Sequence, residues 1–141
     1  MLFETEEESL RIEVASYEAP HGREADADWL VLKGTYTADG ETAVDRNACL
    51  TTSELRALCA GLKVVAAGIR DSYESDFLAQ DFTLSVVRTG EDGFRAYVTF
   101  AMLGADVDFD TAELDVRCDT ATLKGWIGVL EAAEMRFPER K

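Results

Sequence analysis

Apolar and polar residues alternate over residues 10–14, with Leu10, Ile12 and Val14 on one side and Arg11 and Glu13 on the other. That period of two predicts a half-buried strand. It recurs at 29–37, where Leu30, Leu32 and Tyr36 share one face; Trp29 and Val31 make the opposite face less polar than a solvated one should be. Asp39-Gly40, two residues that accept positive φ, then turn the chain into a third strand at 41–48. Across residues 47–69 the period changes. Leu55, Leu58, Cys59, Leu62, Val65, Ala66 and Ile69 recur at steps of three and four, the stripe of an amphipathic helix. Thr51 followed by Glu54 matches a capping box, and Gly68 stands where a left-handed cap would close the helix.

The second half repeats the plan. Strands are predicted at 82–87 and 94–103, joined by the turn Gly90-Glu91-Asp92-Gly93, with Phe94, Ala96, Val98, Phe100 and Met102 on one face. A sixth strand over 106–118 breaks its own parity. Val107 and Phe109 are apolar at odd positions, whereas Ala112, Leu114, Val116 and Cys118 are apolar at even ones. A strand cannot switch faces without an extra residue, so a bulge, bend or break is expected between Asp110 and Ala112. Asp119 caps a last helix carrying Leu123, Trp126, Ile127, Leu130 and Phe137, and Pro138 stops it. The order βββα-βββα predicts an α+β fold: an antiparallel sheet of about six strands with two helices packed on one face. Residues 1–141 read as a single domain, with 1–8 as a frayed acidic N-terminus. A chain of this length buries roughly 68% of its unfolded surface, enough to fold without a disulfide or metal staple.

Charge changes the picture more than composition does. Twenty-eight acids face fourteen bases, a net charge of −14. Such a field disfavours nucleic acid and anionic membranes and favours a basic partner, although solubility alone accounts for it as well. The acidity is concentrated. Residues 4–28 hold nine acids and two bases, 71–81 four acids and no base, and 106–119 six acids and one base, Arg117. No run approaches the ~20 apolar residues of a membrane span. Glu4, Glu6, Glu7 and Glu8 occupy the region where an export signal carries positive charge, and the three cysteines show no CxxC spacing. Free thiols in a cytoplasmic protein are the plain reading.

Catalytic chemistry is thin. His21 is the single histidine, in a loop with Pro20 and Gly22, and no serine or cysteine stands out as its partner. Cys59 lies on the helix stripe and reads as packing. No cofactor loop or hydrolase signature is present, so neither an enzyme nor a cofactor is expected. Asp106, Asp108 and Asp110 echo the first half of a calcium loop, but Thr111 replaces its glycine and Arg117 its closing acid, so no metal is expected. Those three read equally as a solvated face or as carboxylates for a partner's Lys and Arg. With Glu113 and Asp115 on the same strand, and Glu74, Asp76 and Asp81 after the central helix, they form the candidate partner-binding set. Trp29 and Tyr73 are the candidate aromatic anchors, while Tyr36 reads as core.

A resemblance adds to this. The run DADWLVLKGTYTADG at 26–40, ACLTTSELRALCAGL at 48–62 and a strand-rich second half closing on FPER at 137–140 resemble the immunity proteins paired with WapA-type, cell-wall-associated contact-dependent toxins of bacteria. The likeness spans residues 10–140, and its marks are Trp29-Leu30, the stretch from Cys49 to Leu55, and Phe137-Pro138. These are packing and capping positions, so no functional residue carries over. The resemblance implies a cytoplasmic antitoxin that binds a toxin domain and blocks it, the toxin being in many cases a nuclease with a basic groove. An acidic binding module for another basic protein, with no toxin role, stays open beside it, as does the oligomeric state.

Overall fold

The computed structural model describes residues 1–19 and 28–140. The single histidine and its loop, with Pro20 and Gly22, lie outside the described residues. Among the described residues ten elements follow in order: β1 (Leu2–Glu4), β2 (Glu8–Tyr17), β3 (Trp29–Ala38), β4 (Glu41–Thr51), α1 (Thr52–Ala66), β5 (Ser72–Glu74), β6 (Phe82–Gly90), β7 (Gly93–Ala101), β8 (Thr111–Cys118) and α2 (Thr120–Arg136). Each half is a four-stranded antiparallel meander followed by a helix, with sheet orders β1-β2-β3-β4 and β5-β6-β7-β8. The α+β class therefore holds, but the single sheet of about six strands becomes two sheets of four. The two extra strands, β1 and β5, are three residues long, too short for any period to show.

The alternation places the core. Leu10 and Ile12 of β2, Leu30 and Leu32 of β3, Phe82, Leu84 and Val86 of β6, Phe94, Ala96, Val98 and Phe100 of β7, and Ala112, Leu114 and Val116 of β8 are all buried. With the helix stripes they form one continuous apolar cluster across both halves. The sheets meet where Phe100 lies over Gly34: a Cβ on that glycine would sit 2.4 Å from the ring. Glycine leaves the hole that the phenylalanine fills, and that contact packs one sheet on the other without joining their ladders.

The helix ends follow local chemistry. Glu54 N–H donates to Thr51 Oγ1 at 3.2 Å and Thr51 N–H to Glu54 Oε1 at 3.0 Å, the reciprocal capping box. Helix α1 stops at Ala66, and Gly68 (φ +77°) turns the chain in the left-handed region. Ile69 therefore leaves the stripe that its spacing predicts and is 75% exposed. Asp119 caps α2 by accepting the Thr122 N–H at 2.8 Å. The helices lie against each other, with a Lys63–Glu131 ion pair of 3.2 Å across their exposed edge.

The first residues are not frayed. Phe3 is buried, its ring 4.5 Å from that of Trp126, whose Nε1–H donates to the Leu2 carbonyl at 3.0 Å. The apolar start of the chain is thus anchored by α2, and Glu6 and Glu7 occupy the turn into β2. The 106–118 segment breaks where its parity does, but the part before the break is not a strand. Strand β8 begins only at Thr111, and 102–110 is a loop closed at its neck by the Met102 N–H donating to the Asp110 carbonyl at 2.7 Å. The change of parity after Phe109 marks the end of that loop. No helix among the described residues is long and apolar enough to cross a membrane.

Candidate protein-binding groove

Four neighbouring pieces of chain build a groove of about 480 Å³: the start of β2, the end of β3, the β3–β4 hairpin with the first residues of β4, and the 102–110 loop. The hairpin is tight because Asp39 (φ 54°) and Gly40 (φ 77°) are both left-handed, which matches the twist of the strands they join. Strand β4 holds the loop against it: Asp45 accepts the Gly104 N–H at 2.9 Å, and Asn47 Nδ2 donates to the Ala101 carbonyl at 2.8 Å.

Tyr36 and Phe109 form the aromatic part of the lining, their rings edge to face at 5.4 Å and 78°. Val107 and Phe109 alternate because both turn from the loop toward this packing. Glu8, Asp39, Glu41 and Asp106 also line the groove, and among the described residues no lysine or arginine does. The Tyr36 hydroxyl donates to Glu8 Oε1 at 2.7 Å. Burial, then the hydrogen bond to Glu8 and the charges of Glu8 and Asp39, push the phenol up to about 12.

The sequence-derived candidates are scattered around the molecule. Asp106 lines the groove; Asp108 and Asp110 are exposed on the same loop but face elsewhere than its lining. Glu113 and Asp115 point outward from β8, where Arg95 Nε donates to Asp115 Oδ1 at 2.8 Å and holds that carboxyl below its ordinary range. Glu74 and Asp76 are exposed after α1, and Asp81 is half-buried before β6. Trp29 is half-buried at the start of β3. Tyr73 lies flat on α1 over Gly61, where a Cβ would approach its ring to 2.4 Å, and burial raises its phenol to about 12. That ring is committed to packing.

Sequence reasoning missed Glu8, Asp39 and Glu41, and it read Tyr36 only as core. The signal was present in part. The Asp39-Gly40 turn fixes the β3–β4 register, with one acid in the turn itself and a second, Glu41, at the first position of β4. What brings Phe109 to Tyr36 is a contact 73 positions apart, which no local pattern reveals. The thiols offer no alternative chemistry: burial raises Cys49 to about 12 and Cys59 and Cys118 to about 11. Thiolate, the reactive form, is suppressed in all three. Among the described residues no group of three or more His, Cys, Asp or Glu side chains is arranged to hold a metal ion.

The groove is acidic and aromatic-floored on a two-sheet α+β scaffold, and comparison with known proteins gives the chain a family. The family model of the WapI-like immunity proteins matches residues 1–138. The chain belongs to the immunity protein WapI-like family. No curated protein and no solved structure matches it.

Proposed function

We propose that this protein acts as a cytoplasmic antitoxin, binding a basic bacterial toxin domain through its acidic surface and blocking it without catalysis. The observation that carries the reading is the groove lining, with four carboxylates and no cation among the described residues, in a chain of net charge −14. A toxin of the nuclease class presents lysines and arginines to a phosphate backbone, and a carboxylate surface satisfies the same groups. Family membership supports an immunity role in general, and the charge supports this mode of it. Carboxylates arranged this way set the association rate and the choice of partner more than raw affinity.

The test is co-expression with a WapA-type toxin domain, paired with a pull-down of the same domain. Growth rescue together with a salt-sensitive complex is the expected result. Rescue without any complex would point to a catalytic or indirect route and would overturn the reading.

A further inference from the structure

We propose that the groove between the β3–β4 hairpin and the 102–110 loop seats an arginine side chain of the toxin, its guanidinium stacked on Phe109 and its N–H groups held by the carboxylate rim. This rests on the functional reading above and names the contact through which it would operate.

Three observations carry it. The groove is mixed in character: Tyr36, Val44 and Phe109 give it an apolar floor, with Val44 40% and Phe109 37% exposed, while Glu41 and Asp106 stand at its rim. A lone metal ion or a small hydrated cation has no use for that floor, whereas the apolar stem and planar head of an arginine match both parts.

The second observation is how the protein treats its own arginines. Arg140 lies 3.5 Å over the Tyr17 ring, Arg88 4.6 Å over Phe94, and Arg136 5.0 Å over Phe137. Those rings each carry a guanidinium from this chain. The Tyr36–Phe109 pair carries none among the described residues, although carboxylates surround it. The third observation is rigidity. The Tyr36–Glu8 hydrogen bond and the backbone and Asp45 bonds that hold the loop set the walls before any partner arrives. A preformed groove lowers the ordering cost of binding.

Arginine is favoured over lysine for a physical reason. Its weakly hydrated planar head can stack on a ring and still donate to two carboxylates, while an ammonium keeps its water and acts as a point charge. The carboxylates that line the groove make it selective for positive charge over a neutral side chain of the same shape.

The experiment has two arms. In the first, N-acetyl-arginine amide, N-acetyl-lysine amide and N-acetyl-citrulline amide are titrated into the isotope-labelled protein and amide shifts are followed. Saturable shifts confined to Tyr36, Val44, Asp106, Phe109 and their neighbours are expected, about threefold or more tighter for arginine than lysine, and absent for citrulline. The Glu41→Gln, Asp106→Asn pair should weaken arginine about tenfold, while Glu91→Gln, one charge removed at the distant β6–β7 turn, should not. Equal response to arginine and lysine, or shifts spread over every acidic surface, would overturn the proposal. In the second arm the toxin domain is the analyte. Unchanged affinity in the groove pair, with Phe109→Ala also unchanged, overturns the groove contact and leaves the immunity reading standing. Failure of the wild-type protein to bind the toxin at all removes that reading, and the partner named here with it.

Discussion

Thr51 closes β4 and opens α1, and its side chain gives a local interaction that can be weighed alone. Replacing an N-cap threonine with alanine costs about 1 kcal/mol. Glu54 does more than complete the box, since its second oxygen accepts the Leu78 N–H at 2.8 Å and ties the following loop to the helix entrance. Thr51→Ala should lower the denaturant midpoint by about 1 kcal/mol of stability with an unchanged slope, and a change near zero would show that the cap is idle. Tyr36 gives the second prediction at this scale. Its phenol is pushed up to about 12 from an ordinary 10, first by burial and then by Glu8. A phenol whose folded pKa exceeds its unfolded value contributes stability that is complete below pH 10 and lost as pH rises through 12. The difference in ultraviolet tyrosinate titration between wild type and Tyr36→Phe should therefore fall near 12, and Glu8→Gln should bring it down. A Tyr36 transition at 10 would mean the hydroxyl faces water. Capping residues were legible in the sequence because they act over three positions. The Tyr36–Glu8 bond was not, because it joins β3 to the start of β2 across 28 positions.

Elements show where periodicity informs and where it is silent. Long strands announced their buried faces, and both helices began where their caps stand. Sheet partition was hidden, since parity says which side of a strand is buried but not which strands share a ladder. Phe100 over Gly34 decides that, and nothing near either residue encodes the pairing. The short strands were hidden for a different reason: three residues have no period, and the glutamates after Phe3 drew attention from the apolar anchor before them. Phe3→Ala tests that anchor. Phenylalanine removed from a packed core costs about 3–5 kcal/mol, whereas a frayed terminus tolerates such a change within about 0.5 kcal/mol. Chemical denaturation should give the larger loss, and the smaller one would return residues 1–8 to the solvent. The Phe137-Pro138 stop has a similar structural duty. Phe137 meets the Tyr17 ring edge-on at 5.3 Å, and the Tyr17 hydroxyl donates to the Pro138 carbonyl. One of the marks that carried the family resemblance is thus a clasp between the last helix and β2.

At the scale of the molecule, the charge of −14 and the membership of the WapI-like immunity family bear on the same question, how this surface meets its partner. The groove, the exposed carboxylates of the 102–110 loop and the outer face of β8 offer the acidic surface in different states of readiness. Asp115 is occupied by Arg95, while Asp106 stands at an open groove. Steering by such a field changes encounter rates by about 10- to 1000-fold and fades as salt shortens the Debye length to about 8 Å near 0.15 M.

Electrostatic capture of a basic toxin domain is tested most directly by its association rate, measured on a sensor surface across a salt series for the wild type and for the Asp106→Lys, Asp108→Lys, Asp110→Lys triple variant. These side chains are exposed on the loop, so each reversal should alter stability by no more than about 0.5 kcal/mol. The wild-type rate should fall steeply as salt rises past ~0.15 M, and the triple variant should associate about tenfold more slowly at low salt and respond less to salt. An association rate that is independent of salt and unchanged in the triple variant would contradict the account.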